Sequence, residues 1–578
     1  MNAVRARLLA VLPDRRTLAT LGRSPRRDLT AGLTVAVVAL PLALGFGISS
    51  GAGAAAGLAT AVVAGALAAV FGGSHLQVSG PTGAMTVVLV PITHRYGPDG
   101  VLTVGLLAGV LLVLLALARA GRWMAYVPVP VVEGFTLGIA GVIALQQVPG
   151  ALGVPKPAGD NPAVVAARAA DAFLAAPHGA APALALGVAA VLLVGGRRWP
   201  AIPFSLLTVV AATLLTRFLD LPVATIGHLP AGLPAPSLDF FTAADVPALL
   251  PSALAVAALA ALESLMSATA ADALGDGERH DGDRELFGQG LANLAAPLFG
   301  GVAATGAIAR TAVNVRSGAA SRLAALVHAA VLAVIVFAAA PLVAGIPLAA
   351  LAGVLIATAA RMVRLGGLRA LARSGRGEAA VLLLTAAATL AFDLVTAVVA
   401  GLLLAGALAL AEVARAARVE RVPLSGEPLG EHVVAYRIDG PLLFAAAHRF
   451  LRELTAEARS RVAILRMSRV SAIDASGAAV LGDAIAELER RGTLVLVTGL
   501  RAEHRRPLDA LGVLDRLREQ GRVFGSTPEA VACARRHLAG ERGRGSVELG
   551  PPEPGLSERG LPEPDWAEPG LPGPGAAR

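Results

Sequence analysis

Two segments of the chain are too polar and too rich in glycine to be ordinary membrane-spanning helices, although apolar residues surround them. They are Gly72 to Val90, GGSHLQVSGPTGAMTVVLV, and Gly300 to Ala319, GGVAATGAIARTAVNVRSGA. Each begins with a glycine pair, continues as a short stretch suited to extended backbone, and then reaches a turn where a helix can begin. Segments interrupted in this way, at comparable places in two halves of a membrane protein, indicate a transporter binding site.

A helix that begins inside a membrane exposes backbone N–H groups. Up to four of them lack a partner within the helix, and the macrodipole adds about half a positive charge at that end. Two such ends that face each other attract a small anion. Thr82 and Thr305 are suited to cap these helices or to contact the anion through their hydroxyl groups. A single segment would equally fit a kinked helix with a threonine cap, but the matched pair favours the anion site.

Two ionisable side chains lie in apolar surroundings near these segments. Arg310 falls about one turn into the second helix, where it either supplies positive charge to the anion site or pairs with a carboxylate inside the membrane. Glu263 lies in the stretch ALAALESLMSATAADAL, and Ser267 follows four positions later on the same helical face. Glu263 is therefore a candidate proton-coupling group. Alternatively, it binds a sodium ion together with Ser267, or it is a static partner of Arg310.

The composition shows which elements must position these residues. Hydrophobic residues make up 55% of the 578 and charged residues only 16%, with a mean hydropathy of +0.68, whereas a soluble domain carries roughly 25% charged residues. Apolar runs of about 20 residues, the length of a membrane-crossing helix, recur from Asp28 to Glu412. We predict a polytopic α-helical membrane protein with fourteen crossing segments, at residues 28–48, 54–72, 76–93, 100–118, 127–148, 179–196, 201–216, 247–273, 286–299, 302–317, 323–341, 346–362, 378–393 and 396–414.

The basic residues predict the orientation in the membrane. Residues 1–27 form a basic N-terminus, and most other arginines fall at alternate ends of the crossing segments. By the positive-inside rule, both termini are cytoplasmic and the protein is a multi-pass protein of the cell (inner or plasma) membrane. The net charge of +8 thus reflects topology and not a nucleic-acid partner, since only 4% of residues are aromatic.

The sequence offers little for enzymatic or metal chemistry. The single cysteine, Cys533, excludes an intrachain disulfide and a multi-cysteine metal site. The chain has no Walker loop and no GxSxG motif, so we expect a protein that is not an enzyme. We expect no metal and no cofactor beyond a coupling ion, H⁺ or Na⁺.

The chain divides into regions that differ in composition and hydrophobic pattern. A transmembrane domain over 28–416 is followed by a linker over 417–430, and an alternation of strands and amphipathic helices predicts an α/β domain over 431–540. One of these helices is expected at AAAHRFLRELTAEAR. Residues 541–578 are rich in Pro, Gly and Glu, which predicts a disordered tail.

Five motifs occur in the order that is found in one known family: VALPLALGFGISSGA, SGPTGAMTVVL, LESLMSATAAD, RELFGQGLANLAAPLFGG and ATGAIARTAVNVRSGA. Together with a C-terminal domain that looks like STAS, they make nearly the whole chain resemble the SulP family of anion transporters. The resemblance implies a uracil-permease-type fold of two inverted seven-segment repeats. A core of segments 1–4 and 8–11 would slide like an elevator against a gate of segments 5–7 and 12–14. We also expect a homodimer and a cytoplasmic protein partner for the STAS domain.

The resemblance further implies a binding site between the third and tenth segments, facing the first. Its residues by motif are Phe46, Pro81, Thr82, Gly83, Thr305, Gly306, Ala307, Ile308, Ala309 and Arg310. Leu42 stands where many relatives have Gln or Glu. In sodium-bicarbonate members the acid of segment 8 is typically Asp with Thr four residues later, whereas Glu263 and Ser267 stand here. The longer acid is more similar to that of proton-coupled relatives.

In the STAS-like domain, SRVSAIDASGAAVLGDAI resembles the strand, loop and helix of anti-sigma-factor antagonists, in which a serine is phosphorylated. By this resemblance Ser476 is a regulatory candidate. The alternative, which we favour for a domain fused to a transporter, is that Asp474 or Ser476 only caps the helix.

Taken together, these features predict a secondary active transporter that imports a small inorganic oxyanion, most plausibly sulfate, by proton symport. Sodium-coupled bicarbonate transport, C4-dicarboxylate transport, and an anion channel or exchanger stay open as alternatives, because backbone N–H groups bind any compact anion.

Overall fold

A computed structural model describes residues 24–122, 127–159, 161–199, 202–230, 232–275, 279–392, 394–416, 418–422, 432–443 and 460–542. The chain forms two compact units that divide between Gly406 and Ala407. The predicted helix at 445–459 lies outside the described residues, as do nearly all of the predicted tail and of the basic N-terminus.

Over its described residues, the first unit is helical, with one short pair of strands. Its first half comprises α1 (Pro25–Ser49), α2 (Ala54–Phe71), β1 (Ser79–Gly80), α3 (Gly83–Leu117), α4 (Val129–Gln146), α5 (Val148–Leu152), α6 (Pro162–Ala175), α7 (Ala180–Arg198) and α8 (Phe204–Phe218). The second half comprises α9 (Val246–Leu274), α10 (Gly282–Ala295), β2 (Thr305–Gly306), α11 (Ile308–Arg316), α12 (Leu323–Ala338), α13 (Ala340–Ala344), α14 (Leu348–Met362), α15 (Leu365–Ser374), α16 (Arg376–Ala391) and the first part of α17 (Leu394–Ala416), which continues past the division at Gly406.

Within the described residues, eight helices are long and apolar enough to cross a membrane: Pro25–Ser49, Ala54–Phe71, Gly83–Leu117, Val129–Leu152, Ala180–Arg198, Ala243–Leu274, Leu348–Ser374 and Thr396–Val413. The count of fourteen crossings stays a prediction. Two of the predicted crossings, 76–93 and 100–118, fall mainly in the single element α3, which begins only at Gly83. It bends at Gly97, where φ is +69°, next to Pro98. Glycine is suited to that bend because its left-handed backbone carries no Cβ penalty.

The helices that surround the two strands pack closely because small residues line their contacts. Helix α10 packs against α2 and α3, α9 against α3, and α12 against α1 and α2. A Cβ atom at Gly57 of α2 would lie 2.0 Å from the Ala43 carbonyl oxygen of α1. Such close backbone approach is typical of helices that associate in membranes.

The second unit is an α/β domain. Its strands are β3 (Arg418–Val422), β4 (Val433–Leu442), β5 (Val462–Arg466), β6 (Val470–Ile473), β7 (Leu494–Thr498) and β8 (Val523–Phe524). The sheet order is β3-β4-β5-β7-β8, with β6 beside β4. Among these described strands, β3 is antiparallel to its neighbour and the other pairs are parallel. The helices are α18 (Ala475–Arg490), α19 (Ala502–Ala510), α20 (Asp515–Glu519) and α21 (Thr527–Arg542).

Strand β3 lies inside the segment that the sequence predicts as a linker, 417–430. Its five residues pair with Ala435 to Asp439 of β4, so this part of the segment belongs to the sheet. The sequence RVERV is too short and too charged to be identified as a strand without its partner, because an edge strand exposes most of its side chains.

Candidate functional site

The two interrupted segments meet in the first unit as an antiparallel pair. Ser79 lies opposite Gly306, and Gly80 lies opposite Thr305. The Ala307 N–H also donates to the Val78 carbonyl at 2.9 Å. Helices α3 and α11 begin two or three residues after these strands, so the pairing brings the two helix N-termini together. The sequence predicts this juxtaposition from two segments that lie more than 200 residues apart.

Glycine is required where the strands are crowded. A Cβ atom at Gly306 would lie 1.8 Å from the Gln77 amide nitrogen and 3.1 Å from the Ser264 Cα. A Cβ atom at Gly83, the first residue of α3, would lie 2.2 Å from Ile143 Cδ1 and 3.1 Å from the Phe46 ring. The N-terminus of α3 is therefore in direct contact with α1 and α4.

Thr82 connects the N-terminus of α3 to Glu263. Its hydroxyl oxygen accepts the Met85 N–H at 3.4 Å, which makes Thr82 the N-cap of α3. The same hydroxyl donates to Glu263 Oε2 at 2.9 Å. A carboxyl group is thus held at a helix N-terminus, where a negative charge is favoured. Thr305 does not cap α11. It lies in β2, and Ala307 precedes the helix without a side-chain hydrogen bond.

Two serines of α9 bind the second interrupted segment. Ser264 Oγ accepts the Gly306 N–H at 2.9 Å, and Ser267 Oγ lies 3.0 Å from Thr311 Oγ1. Thr311 in turn accepts the Val78 N–H at 3.1 Å. Helix α9 therefore contacts both half-helices within one and a half turns. Ser267 thus contacts Thr311, and its predicted role in ion coupling stays a prediction.

The Arg310 guanidinium lies behind the strand pair, with only 1% of the residue exposed. Its Nη2 donates to the Pro81 carbonyl at 2.5 Å, and among the residues that the structure describes Nη1 has no hydrogen-bonding partner. A Cβ atom at Gly80 would lie 2.5 Å from Nη1, so the charge lies directly against the turn that leads into α3. Arg310 and Glu263 interact electrostatically. The guanidinium therefore adds positive potential at the strand pair and fixes the Pro81 turn.

A buried row of polar residues on α10 holds the first interrupted segment. Glu285 Oε2 accepts the Gly73 and Ser74 N–H groups at 2.8 and 3.1 Å, and Oε1 accepts the side-chain amides of Gln77 and Gln289 at 2.8 and 2.9 Å. Gln289 also donates to Ser79 Oγ at 2.6 Å. The carboxylate of Glu285 thus satisfies backbone donors that no helix or sheet satisfies.

The second interrupted segment is held in the same way. Asn293 on α10 accepts the Ala304 N–H at 2.8 Å and donates to the Ala304 carbonyl at 2.9 Å. Thr60 on α2 accepts the Val302 N–H at 2.7 Å. Extended backbone inside a membrane protein persists only when its polar groups are satisfied internally, and these side chains supply the partners.

Sequence reasoning did not assign a role to Glu285, Gln289, Asn293, Ser264 or Thr60. A signal was present for the first three, because polar residues at positions i, i+4 and i+8 form one stripe along a helix whose other residues after Arg284 are apolar or glycine. Such residues inside a membrane span are functional candidates by default.

The other predicted residues lie as follows. Phe46 is buried beside Gly83, and Leu42 is buried on the same helix α1. Ile308 and Ala309 form the first turn of α11. In the second unit, Ser476 is an exposed residue in the first turn of α18, and Asp474 caps that helix by accepting the Gly477 N–H at 2.7 Å. Within the described residues, no group of three or more His, Cys, Asp or Glu side chains is arranged to bind a metal ion.

Paired half-helices inside a bundle of apolar helices, followed by an α/β unit, define a helical membrane transporter with an appended domain. Comparison with known proteins makes this assignment specific. The model of the sulfate permease family matches residues 26–385, and that of the STAS domain matches residues 429–530. The chain belongs to the sulfate permease family. It is an anion transporter of that family and not an enzyme.

Individual relatives agree with the family assignment. The putative sulfate transporter YvdB of Bacillus subtilis is 35% identical over 505 residues, which cover 86% of this chain and 95% of that protein. The solved transmembrane domain of a cyanobacterial bicarbonate transporter, BicA, is 33% identical, with a TM-score of 0.60 over 65% of this chain and 98% of that one. The inward-facing murine Solute Carrier 26 family member A9 anion transporter is 18% identical, with a TM-score of 0.81 over 92% of this chain and 95% of that one, and shows the shared fold.

Proposed function

We propose that this protein imports sulfate together with protons across the plasma membrane, and that the anion binds between the N-termini of α3 and α11. The observation that carries the proposal is the hydroxyl of Thr82, which both caps α3 and donates to the Glu263 carboxyl group. The anion and Glu263 therefore compete for the same positive helix end. The name of the Bacillus relative, a putative sulfate transporter, supports sulfate as the substrate.

The geometry links proton binding to anion binding through charge. An ionised Glu263 places a negative charge beside the helix end that the anion would occupy. Two unit charges about 5 Å apart at an effective dielectric constant of about 20 repel by about 3 kcal/mol, or roughly a hundredfold in affinity. Protonation of Glu263 removes that repulsion. One proton and one anion are then taken up together, which is the requirement for symport.

Several groups would stabilise the bound anion. The first N–H groups of α3 and α11 lack partners within their helices, and both dipoles point their positive ends toward the strand pair. Arg310 adds a permanent charge from behind the turn, without giving up its bond to Pro81. The substrate is thus held mainly by backbone donors, which suits a compact oxyanion.

The contacts at Gly83 support an elevator-type movement. Helices α1, α2, α3, α9, α10, α11 and α12 pack around the strand pair, whereas α4 packs chiefly on α16 and α14. Ile143 of α4 touches Gly83 at the anion site. If the first group of helices slides along α4, the bound anion moves with the strand pair.

The proposal also includes cytoplasmic termini, a homodimer and a protein partner for the STAS domain. We also propose that Ser476, which lies next to the cap of α18, does not have to be phosphorylated.

Transport in proteoliposomes tests this proposal. Radiolabelled sulfate, bicarbonate, succinate and chloride are compared under an inward proton gradient, a sodium gradient, and no gradient. We expect saturable sulfate uptake that a proton gradient drives. Sodium-driven bicarbonate uptake would instead support the second candidate, which the BicA relative favours. Gradient-independent, non-saturating flux would show a channel and contradict the proposal.

The Glu263→Gln variant isolates the coupling step. Glutamine keeps the shape of the side chain and an acceptor for the Thr82 hydroxyl, but it cannot bind and release a proton. We expect anion exchange without proton-driven accumulation. Glu412→Gln, an exposed glutamate on α17, is the matched control and should behave as the unaltered protein does. Unchanged proton dependence in Glu263→Gln would remove this residue from the mechanism.

A further inference from the structure

Helix α15, Leu365–Ser374, forms a surface that the transport mechanism does not use. It joins α14 to α16, and none of its ten residues is buried. The sequence pattern predicts only a connection between two crossing segments at this point. The structure makes it a short amphipathic helix with the sequence LGGLRALARS.

The helix has two different sides. Leu368 and Leu371 are half-buried against the rest of the unit, whereas Leu365 is 60% exposed. Arg369 and Arg373 follow Leu365 at intervals of four residues, so all three project from neighbouring positions on the outer side. A short amphipathic helix with exposed arginines and an exposed leucine at its edge fits a position in the membrane interface, where arginines reach headgroups and leucine reaches acyl chains.

Within the described residues, the arginines of this surface form no ion pair with an acidic side chain. Arg364 and Arg376 flank the helix and are also exposed. Over the described residues, none of Arg364, Arg369, Arg373 and Arg376 has an ion pair or a side-chain hydrogen bond. The nearest acid along the chain, Glu378, accepts a hydrogen bond from Ser374. Four guanidinium groups are therefore free to bind an external anionic group.

The position of the helix identifies that group. Helix α15 is the C-terminal end of the candidate membrane span Leu348–Ser374, and the chain continues into the apolar helix α16. The arginines therefore lie at the level where lipid phosphates lie. Guanidinium groups bind phosphate oxygens in pairs, and arginine stems reach the interface while their apolar parts stay in the membrane.

From the exposure, charge and position of this helix we infer that α15 is a binding surface for anionic phospholipids of the surrounding bilayer. Arg369 and Arg373 bind the phosphodiester group of the lipid. Arg364 and Arg376 add to the local positive potential. Leu365 inserts among the acyl chains. A soluble acidic protein would not account for the exposed leucine beside the charged side. The inference does not depend on which anion the protein carries.

Competitive lipid binding tests the inference. The purified full-length chain is stripped of lipid, incubated with equal amounts of phosphatidylglycerol and phosphatidylcholine, and the retained lipids are counted by mass spectrometry. We expect clear selectivity for phosphatidylglycerol that declines as salt is raised. A basic residue near an anionic surface contributes about fivefold in binding, so the double variant Arg369→Gln, Arg373→Gln should lose about 25-fold.

The matched control is the double variant Arg505→Gln, Arg506→Gln, which removes the same charge from exposed positions of α19. It should retain full selectivity. Equal loss in both double variants, or none in the α15 variant, would overturn the inference. Displacement of the bound lipid by inorganic phosphate at equal concentration would also overturn it, because it would show a free-anion site in place of a lipid site. Size-exclusion profiles and circular dichroism of each variant confirm that the fold is retained.

Discussion

Replacing Glu285 with leucine should strongly destabilise the membrane unit, because this buried carboxylate accepts hydrogen bonds from the first interrupted segment. The side chain is 2% exposed and accepts four hydrogen bonds, from the Gly73 and Ser74 N–H groups and from two side-chain amides. Leucine fills a similar volume but accepts none. Each buried donor without a partner costs about 1–3 kcal/mol.

The four donors are not equal. The two amides can rotate toward other acceptors, but the two backbone N–H groups cannot, since the glycine pair fixes them beside α10. The minimum cost is therefore about 2 kcal/mol and the full cost about 4 kcal/mol or more. At about 2 °C per kcal/mol for a large domain, the apparent Tm should fall by roughly 4 to 8 °C or more.

The assay is thermal unfolding of the purified protein at one fixed heating rate, compared with Glu412→Leu, an exposed control. Glu285→Gln should be intermediate, because its amide oxygen can still accept the backbone N–H groups. A Glu285→Leu variant within about 2 °C of the control would refute the idea that this carboxylate holds the first interrupted segment in place.

Three further predictions concern separate features. Gly83→Ala should slow transport with little change in Tm, because its Cβ would lie 2.2 Å from Ile143 Cδ1, and adding Ile143→Val, which removes that methyl group, should restore the rate; no rescue would contradict a steric cause. Asp474→Ala should destabilise the start of α18 by about 1 kcal/mol, seen as faster amide exchange at Gly477; unchanged exchange would show that the cap is dispensable. Burial lowers the pKa of His504, so the neutral ring stabilises α19 fully above its ordinary pKa of 6.5, and this contribution is lost as the pH falls toward the lowered value. Hydrogen exchange of α19 in the full chain should therefore accelerate on acidification, after correction for intrinsic rates, and a pH-independent profile would contradict the assignment.

The general organisation of this protein could be predicted from one sequence. Apolar runs of about 20 residues predict a membrane domain because a helix must be that long to cross the hydrocarbon layer. The alternation after residue 430 predicts the α/β domain, and matches to the family and domain models confirm both. The two glycine-rich segments indicate a binding site because interrupted helices are stable in a membrane only where they are enclosed by protein or line a water-filled cavity. These signals are local, and local patterns can be read directly along the chain.

Other features depended on contacts between distant parts of the chain. The sequence indicates that Glu263 and Arg310 matter, but only the tertiary structure shows that Glu263 accepts from Thr82 and that Arg310 donates to Pro81. These partners lie 181 and 229 residues apart, respectively.

The supporting row on α10 follows the same principle. Its polar residues form a stripe in the sequence. Only the tertiary structure shows that they form hydrogen bonds with backbone groups of the segments that begin at Gly72 and Gly300. The strand pair itself has only two residues on each side, too few for any pattern of alternation. The sequence alone thus determined that the helices are interrupted and which residue types surround the interruptions. Tertiary structure decided which side chain satisfies each exposed backbone group, because a hydrogen bond requires two atoms about 3 Å apart, and no spacing along the chain sets that distance.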